Sequence, residues 1–397
     1  MRALRVRPPE VPWTPELLWV LSRAYGPPEV AFDGPFDGTA AAGLASSLDL
    51  AARIGARNPP PVLSAEAGED AAAGFVRAAR LTAARNLFRI ESVRAVAKTA
   101  ARGGIPFVLL KGLALEALSL VPAGSRPTSD LDLLVPVGRI PAFLDLLIAD
   151  GWVLTPEHGD QEQHLEPLVH PGLGMIEVHR VLLGVRLPGQ RRSLDFDALS
   201  AAGLTRPVPG LPESVLAPAN PVLLAHSLVH GLVQHGSAPA SYPAFRVLSD
   251  VADLGPSPES LAEAGAYLRE LDSEDLATVG TLVRDLGSGL RSTLCGPQSV
   301  ERRPDPILLL RHLVAGITDR RYALGLKSEG GFISPLSDRP PVGAALRSAW
   351  RAVALSRAQV DVIYGPPRTR LGYLARQAWR PFDLVGRYLR ASAARRR

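Results

Sequence analysis

Two aspartates one residue apart, Asp130 and Asp132, stand at the head of the apolar run Leu131-Asp-Leu-Leu-Val135. Side chains of a strand alternate with period 2, so both acids share one face while Leu131, Leu133 and Val135 take the other. Two carboxylates that close repel each other unless a cation lies between them, and the arrangement suits a divalent ion of the Mg²⁺ class. Upstream, Ile105-Pro-Phe-Val-Leu-Leu110 reads as a buried strand and Lys111-Gly112 as a tight turn. Leu113 to Leu120 follows as a short helix whose free N–H groups face incoming phosphate oxygens. Lys111 is placed as a point charge for a phosphate, and Arg126 and Ser129 lie in the loop before the aspartates.

Further on, Gly174-Met-Ile-Glu-Val-His-Arg180 repeats the alternation: Met175, Glu177 and His179 share one face, Ile176 and Val178 the other. An acid and an imidazole thus stand side by side on a second strand.

The order Lys111-Gly112, Arg126 and Asp130-Leu-Asp-Leu-Leu-Val135 resembles the nucleotidyltransferase superfamily typified by DNA polymerase beta. It is most similar to a bacterial branch of largely uncharacterised nucleotidyltransferases, and the likeness covers roughly residues 75 to 255. Better-studied members carry Gly-Ser where this chain has Lys111-Gly112. The resemblance implies an α+β fold, in which a polymerase-beta-like core with a small mixed β-sheet is flanked by N-terminal helices and a C-terminal helical region. It also implies a metal-dependent transfer of a nucleoside monophosphate from an NTP such as ATP. Asp130, Asp132 and Glu177 would be the metal and catalytic acids, with Mg²⁺ or Mn²⁺ as cofactor, and Lys111, Gly112, Arg126 and Ser129 would face the nucleotide. Glu177 would double as the base. Histidines recur in the branch near His164 and on the helix that carries His226 and His230, and these, with His179, are expected to line the cleft. Members of the branch sit in peptide natural-product clusters, so an accessory role that binds nucleotide or peptide without turnover is the alternative. A kinase-like transfer of the terminal phosphate is another.

These residues need elements to hold them. Strands are expected near 105–110, 130–136, 151–155, 167–170 and 175–181, with a helix over 140–150 whose apolar stripe is Ile140, Phe143, Leu144, Leu147 and Ile148. Thr14-Pro15 opens a helix to Tyr25, and a long helix runs from Ala71 to Arg102, stopped by Gly103-Gly104. Pro27 to Gly38, Asn58 to Val62 and the proline-rich Leu182 to Pro218 read as loops. Asn220-Pro221 opens a helix through Val233 that puts His226 and His230 on one face. The pair lacks the glutamate and third ligand of a zinc site. Asp250, in Arg246 to Asp253, is expected to contact one of these histidines. Helices continue over 258–270, 273–286 and 306–317, and 327–341 reads as a hinge or lid loop. The implied organisation is an N-terminal region 1–74, a core 75–210, a helical domain 211–325 and a tail 326–397.

The tail is amphipathic over 342–362 and 371–394, with Trp350, Tyr373, Trp379, Phe382 and Tyr388 among arginines. Such a helix either rests on its aromatic side with arginines in solvent, or contacts an anionic membrane, nucleic acid or acidic peptide. At 397 residues and 46% hydrophobic content the chain holds material for two or three domains. A formal charge of +5 leans toward an anionic substrate. A single cysteine, Cys295, excludes a disulfide framework and cysteine-rich zinc motifs. With no hydrophobic leader core and no long apolar run, a cytoplasmic location is the expectation. Nothing selects the acceptor, whether small molecule, peptide, protein or tRNA, or the oligomeric state.

Overall fold

The computed structural model describes residues 9–30, 32, 34–155, 165–235, 244–255, 257–288, 306–319, 369 and 371–382. His164, Cys295 and the segments 327–341 and 342–362 lie outside them.

Four helices come first: α1 (Pro15–Tyr25), α2 (Gly38–Ser47), α3 (Ala51–Arg57) and α4 (Pro60–Ala67). Thr14 caps α1 through its hydroxyl, and Asp37 caps α2 through its carboxylate. The segment expected as a loop at Asn58 to Val62 instead begins α4, because Pro60 sits at the first helical position, where a missing N–H costs nothing. Next, α5 (Glu69–Ala101) runs 33 residues, about 50 Å. It spans two cores, giving Ala71, Ala72 and Phe75 to one and Val93, Val96, Ala97 and Ala100 to the other.

Strand β1 (Phe107–Leu109), helix α6 (Lys111–Ala117), β2 (Leu131–Leu134), α7 (Ile140–Ala149), β3 (Val153–Leu154), β4 (Leu168–His170) and β5 (Gly174–His179) follow the expected order. The expected Lys111-Gly112 turn is absorbed into the start of α6, with Lys111 at φ +53°. The stretch Leu182 to Pro218, expected as loop, holds α8 (Phe196–Ala201), β6 (Thr205–Pro207) and β7 (Val215–Pro218). The prolines that argued against strands sit where a missing donor is harmless: Pro207 ends the edge strand β6, and Pro218 ends β7.

The seven strands form one mixed sheet in the order β3-β4-β5-β2-β1-β7-β6. β2 pairs parallel to β5, and β1 parallel to β7, while β1 and β2 run antiparallel. The fold is α+β. One face of the sheet presents Phe107, Leu109, Leu131, Leu133, Ile176, Val178, Val215 and Ala217 to α7 and the second half of α5. The other presents Val108, Leu110 and Leu134 to the helical layer. Asp132, Glu177 and His179 alternate with the first set, so they point toward that helical layer as well.

The layer consists of α9 (Asn220–Leu228), a wider π-helical turn (Val229–Gln234), α10 (Ala244–Leu254), α11 (Pro258–Gly265), α12 (Ser273–Gly287) and α13 (Pro306–Thr318). Asn220 is the first helical residue and not the cap, and its side chain accepts from Arg206. The N-terminal helices join this layer through Arg53, 2% exposed, whose guanidinium meets the Asp253 carboxylate at 2.6 and 2.8 Å. No helix among the described residues is long and apolar enough to cross a membrane.

Candidate active site

Parallel pairing of β2 with β5 sets Asp132 directly beside Glu177 and Leu134 beside His179. The backbone of β1 fixes the site from the other side, since the Leu110 N–H donates to the Asp132 carbonyl at 3.0 Å. Directly after Leu110, the left-handed backbone at Lys111 turns the chain so that its side chain lies across β2. Lysine carries a Cβ, so this conformation costs energy that the surrounding contacts must offset. Those contacts are visible. Lys111 Nζ lies 2.6 Å from Asp132 Oδ1 and 3.8 Å from Glu177 Oε2. His179 Nε2 lies 2.8 Å from the same Asp132 oxygen and 3.8 Å from Glu177 Oε2.

The protonation of the group follows from burial and charge. Burial alone would make Asp132 a poor ion, but the Lys111 ammonium and the His179 hydrogen bond overcome it and hold the carboxylate well below its usual range. Burial would likewise discharge Lys111, and Asp132 with Glu177 reverses that, raising its pKa. Glu177 goes the other way, pushed up to about 7 by burial and by the Asp132 charge beside it. Of two carboxylates in register, one is firmly ionised and the other titrates near neutrality. Asp130 is also raised, by burial first and by Asp132 second. Its carboxylate accepts from the Ser129 hydroxyl at 3.0 Å, just outside the start of β2.

The donor set suits a hard divalent ion. Ligand atoms of Asp132, Glu177 and His179 lie within 4.8 Å of one another. Two carboxylates with room for water and phosphate oxygens fit Mg²⁺, and the imidazole nitrogen is more congenial to Mn²⁺. Asp130 is not in that set; His179 takes the third place.

Arg126, expected at the nucleotide, is 5% exposed and grips Asp250 with two bonds, Nε to Oδ1 at 2.7 Å and Nη2 to Oδ2 at 3.1 Å. Asp250, expected beside His226 or His230, is instead held by Arg126 and by the Ser227 hydroxyl at 3.1 Å. Asn86 of α5 donates to the Arg126 carbonyl at 2.9 Å. The guanidinium lies directly against Gly112, where an added Cβ would come within 3.1 Å of its carbon. Arg126 thus ties α5, the start of α6 and α10 together beneath the Lys111 turn. Asn86 and Ser227 were missed as site residues, because a neutral polar residue in a helical stretch carries no sign of its long-range partner.

His226 and His230 form a wall on the α9 side, with ring centroids 6.0 Å apart, and His230 meets His235 at 4.7 Å. His235 stands five residues after His230, off the face of an α-helix, and the π turn brings it round through an N–H bond to the His230 carbonyl at 3.1 Å. That spacing was the only sequence sign of it. Burial, and then the Lys111 charge, keep all three imidazoles neutral: His226 falls to about 3, His235 to about 4, and His230 well below its ordinary value. The site thus has a charged floor on the sheet and an uncharged imidazole wall on the helix above it.

A family described as uncharacterised nucleotidyltransferase matches residues 50–275 of this sequence, more than half of the chain. The chain belongs to this uncharacterised nucleotidyltransferase family. The match takes in α3 to the start of α12, and so includes both acid-bearing strands, the Lys111 turn, the Arg126–Asp250 pair and the imidazole wall of this nucleotidyltransferase. No curated protein and no solved structure matches the chain.

Proposed function

We propose that this nucleotidyltransferase moves a nucleoside monophosphate from an NTP, with ATP as the first candidate, to an acceptor and releases pyrophosphate. The observation that supports this reading is the register of Asp132 against Glu177 with the Lys111 ammonium between them. In-line displacement at the α-phosphorus spreads negative charge over phosphate oxygens, so positioned charge does more for it than a covalent nucleophile.

In this reading Asp132, Glu177 and His179, with Asp130 at the strand entrance, would hold Mg²⁺ or Mn²⁺, which supplies charge neutralisation at the phosphates. Lys111 leaves its carboxylates to meet the triphosphate as the nucleotide arrives. Glu177, at 19% side-chain exposure against 3% for Asp132, is the more open carboxylate and takes the proton of the acceptor hydroxyl or amine. The acceptor oxygen or nitrogen bonds to the α-phosphorus as the bond from that phosphorus to the bridging oxygen breaks, and pyrophosphate leaves with the electron pair. The neutral wall of His226 and His230 faces the acceptor, where an uncharged imidazole serves as hydrogen-bond donor or acceptor without attracting a second anion. Arg126 holds the turn through its pair with Asp250.

The test is incubation of the purified chain with α-³²P-labelled NTPs, Mg²⁺ or Mn²⁺ and a cell extract as acceptor source. Label should appear on an acceptor with pyrophosphate released, and Asp132→Asn should abolish it with folding intact. Transfer of γ-label with release of NDP would establish phosphotransfer in its place, and metal-dependent NTP binding without any transfer would establish the accessory reading.

A further inference from the structure

The helix over 371–382 reads Leu-Gly-Tyr-Leu-Ala-Arg-Gln-Ala-Trp-Arg-Pro-Phe. At helical spacing, Leu371, Leu374, Ala375, Ala378, Trp379 and Phe382 share one face, and that face holds no charge. It is turned outward: Leu371 is 81% exposed, Leu374 59%, Trp379 61% and Phe382 66%. The opposite side, with Tyr373, Gln377 and Arg380, is half-buried, as is the flank at Arg376. This inverts the usual arrangement, in which such a helix seats its aromatic side inward and leaves its arginines in water. The rings of Trp379 and Phe382 lie 5.9 Å apart between centroids, tilted by 33°, and extend the apolar surface begun by Leu371 and Leu374.

The charge around this face says what it meets. From residue 368 to 397 the sequence carries nine arginines against one acid, Asp383. Arg376 borders the stripe on its Trp379 side, and Arg380 lies opposite it. An apolar face of leucine, tryptophan and phenylalanine bordered by arginine suits the boundary between lipid headgroups and acyl chains. Nucleic acid fits less well, because Leu371 and Leu374 offer no ring to stack on a base. The twelve described residues of this helix are too few to span a bilayer and would lie along it.

We propose that helix 371–382 docks on an anionic lipid surface, with Leu371, Leu374, Trp379 and Phe382 entering the interface and Arg376, at the edge of the stripe, meeting lipid phosphates. The full-length chain is sedimented with vesicles of phosphatidylglycerol and phosphatidylcholine, and with vesicles of phosphatidylcholine alone. It should pellet with the anionic vesicles at least about tenfold more strongly than with the neutral ones, and less in high salt. Trp379→Glu/Phe382→Glu should lose binding while its circular dichroism spectrum and Tm stay as in the wild type, since both rings already stand in water. Arg376→Gln should weaken binding without abolishing it. The proposal falls if the chain ignores anionic vesicles, if the double glutamate variant binds them as well as the wild type, or if it binds single-stranded RNA and not vesicles. It falls equally if sedimentation equilibrium shows a dimer that the glutamates dissociate, with no vesicle binding by either form.

Discussion

Asp132 carries two bonds on one oxygen, from Lys111 and from His179, while Glu177 stands in register beside it. Removing its charge therefore disturbs three groups at once. Asp132→Asn is expected to lower transfer at least about 10²-fold through kcat, the size seen when a single electrostatic contact is lost from a transition state. NTP-dependent label transfer measured with folding verified by circular dichroism checks it, and turnover like the wild type would remove Asp132 from the mechanism. The alternation that sets Asp132, Glu177 and His179 on one face was legible in the sequence, because period 2 is a local property. The sequence called for a divalent ion between Asp130 and Asp132 and assigned Lys111 to a phosphate; the placement of Lys111 between Asp132 and Glu177 was not legible. That placement rests on the left-handed backbone at residue 111, which a lysine gives no reason to expect.

Around the Lys111 turn the elements are joined by the buried Arg126–Asp250 pair. Breaking one partner of such a pair leaves a charge in the interior, so Asp250→Asn or Arg126→Gln should each cost about 3–5 kcal/mol. The double variant should cost less than the sum of the two, and urea unfolding of all three checks the coupling. Arg126→Lys should not restore stability, because a single ammonium cannot make the two parallel bonds. Gly112→Ala drives a methyl against the pinned guanidinium, and about 1–3 kcal/mol of destabilisation is expected from such overpacking. Urea midpoints equal to the wild type would show that the guanidinium gives way freely. Periodicity and caps announced α1, α5, α7 and the five strands from β1 to β5. They failed at α2, α3, α4 and α8, at β6 and β7, and at the π turn. At α4, β6 and β7 the signals were prolines, whose meaning depends on whether they fall inside an element or at its edge, and the partner of β7 in β1 lies about a hundred residues away in sequence.

For the molecule as a whole, two layers of helix enclose one sheet, and the histidine wall is buried where they meet. In the unfolded chain these imidazoles titrate near their ordinary value of about 6.5. In the fold His226 does so near 3 and His235 near 4. Between these values the unfolded chain binds more protons, so stability falls as pH drops from about 6.5 toward about 3, and these groups cause no further loss below that. Urea midpoints measured from pH 7.5 downward should show the decline, and His226→Gln should flatten it; an unchanged slope would mean that His226 is protonated in the fold. The order of the sheet has a separate consequence for how the protein is made. β1 lies between β2 and β7, so until residue 218 has left the ribosome it has an open hydrogen-bonding edge, an invitation to pairing between nascent chains. A fragment ending at 203 should therefore aggregate, and a peptide spanning 204–235, supplied in trans, should return it to solution by filling that edge.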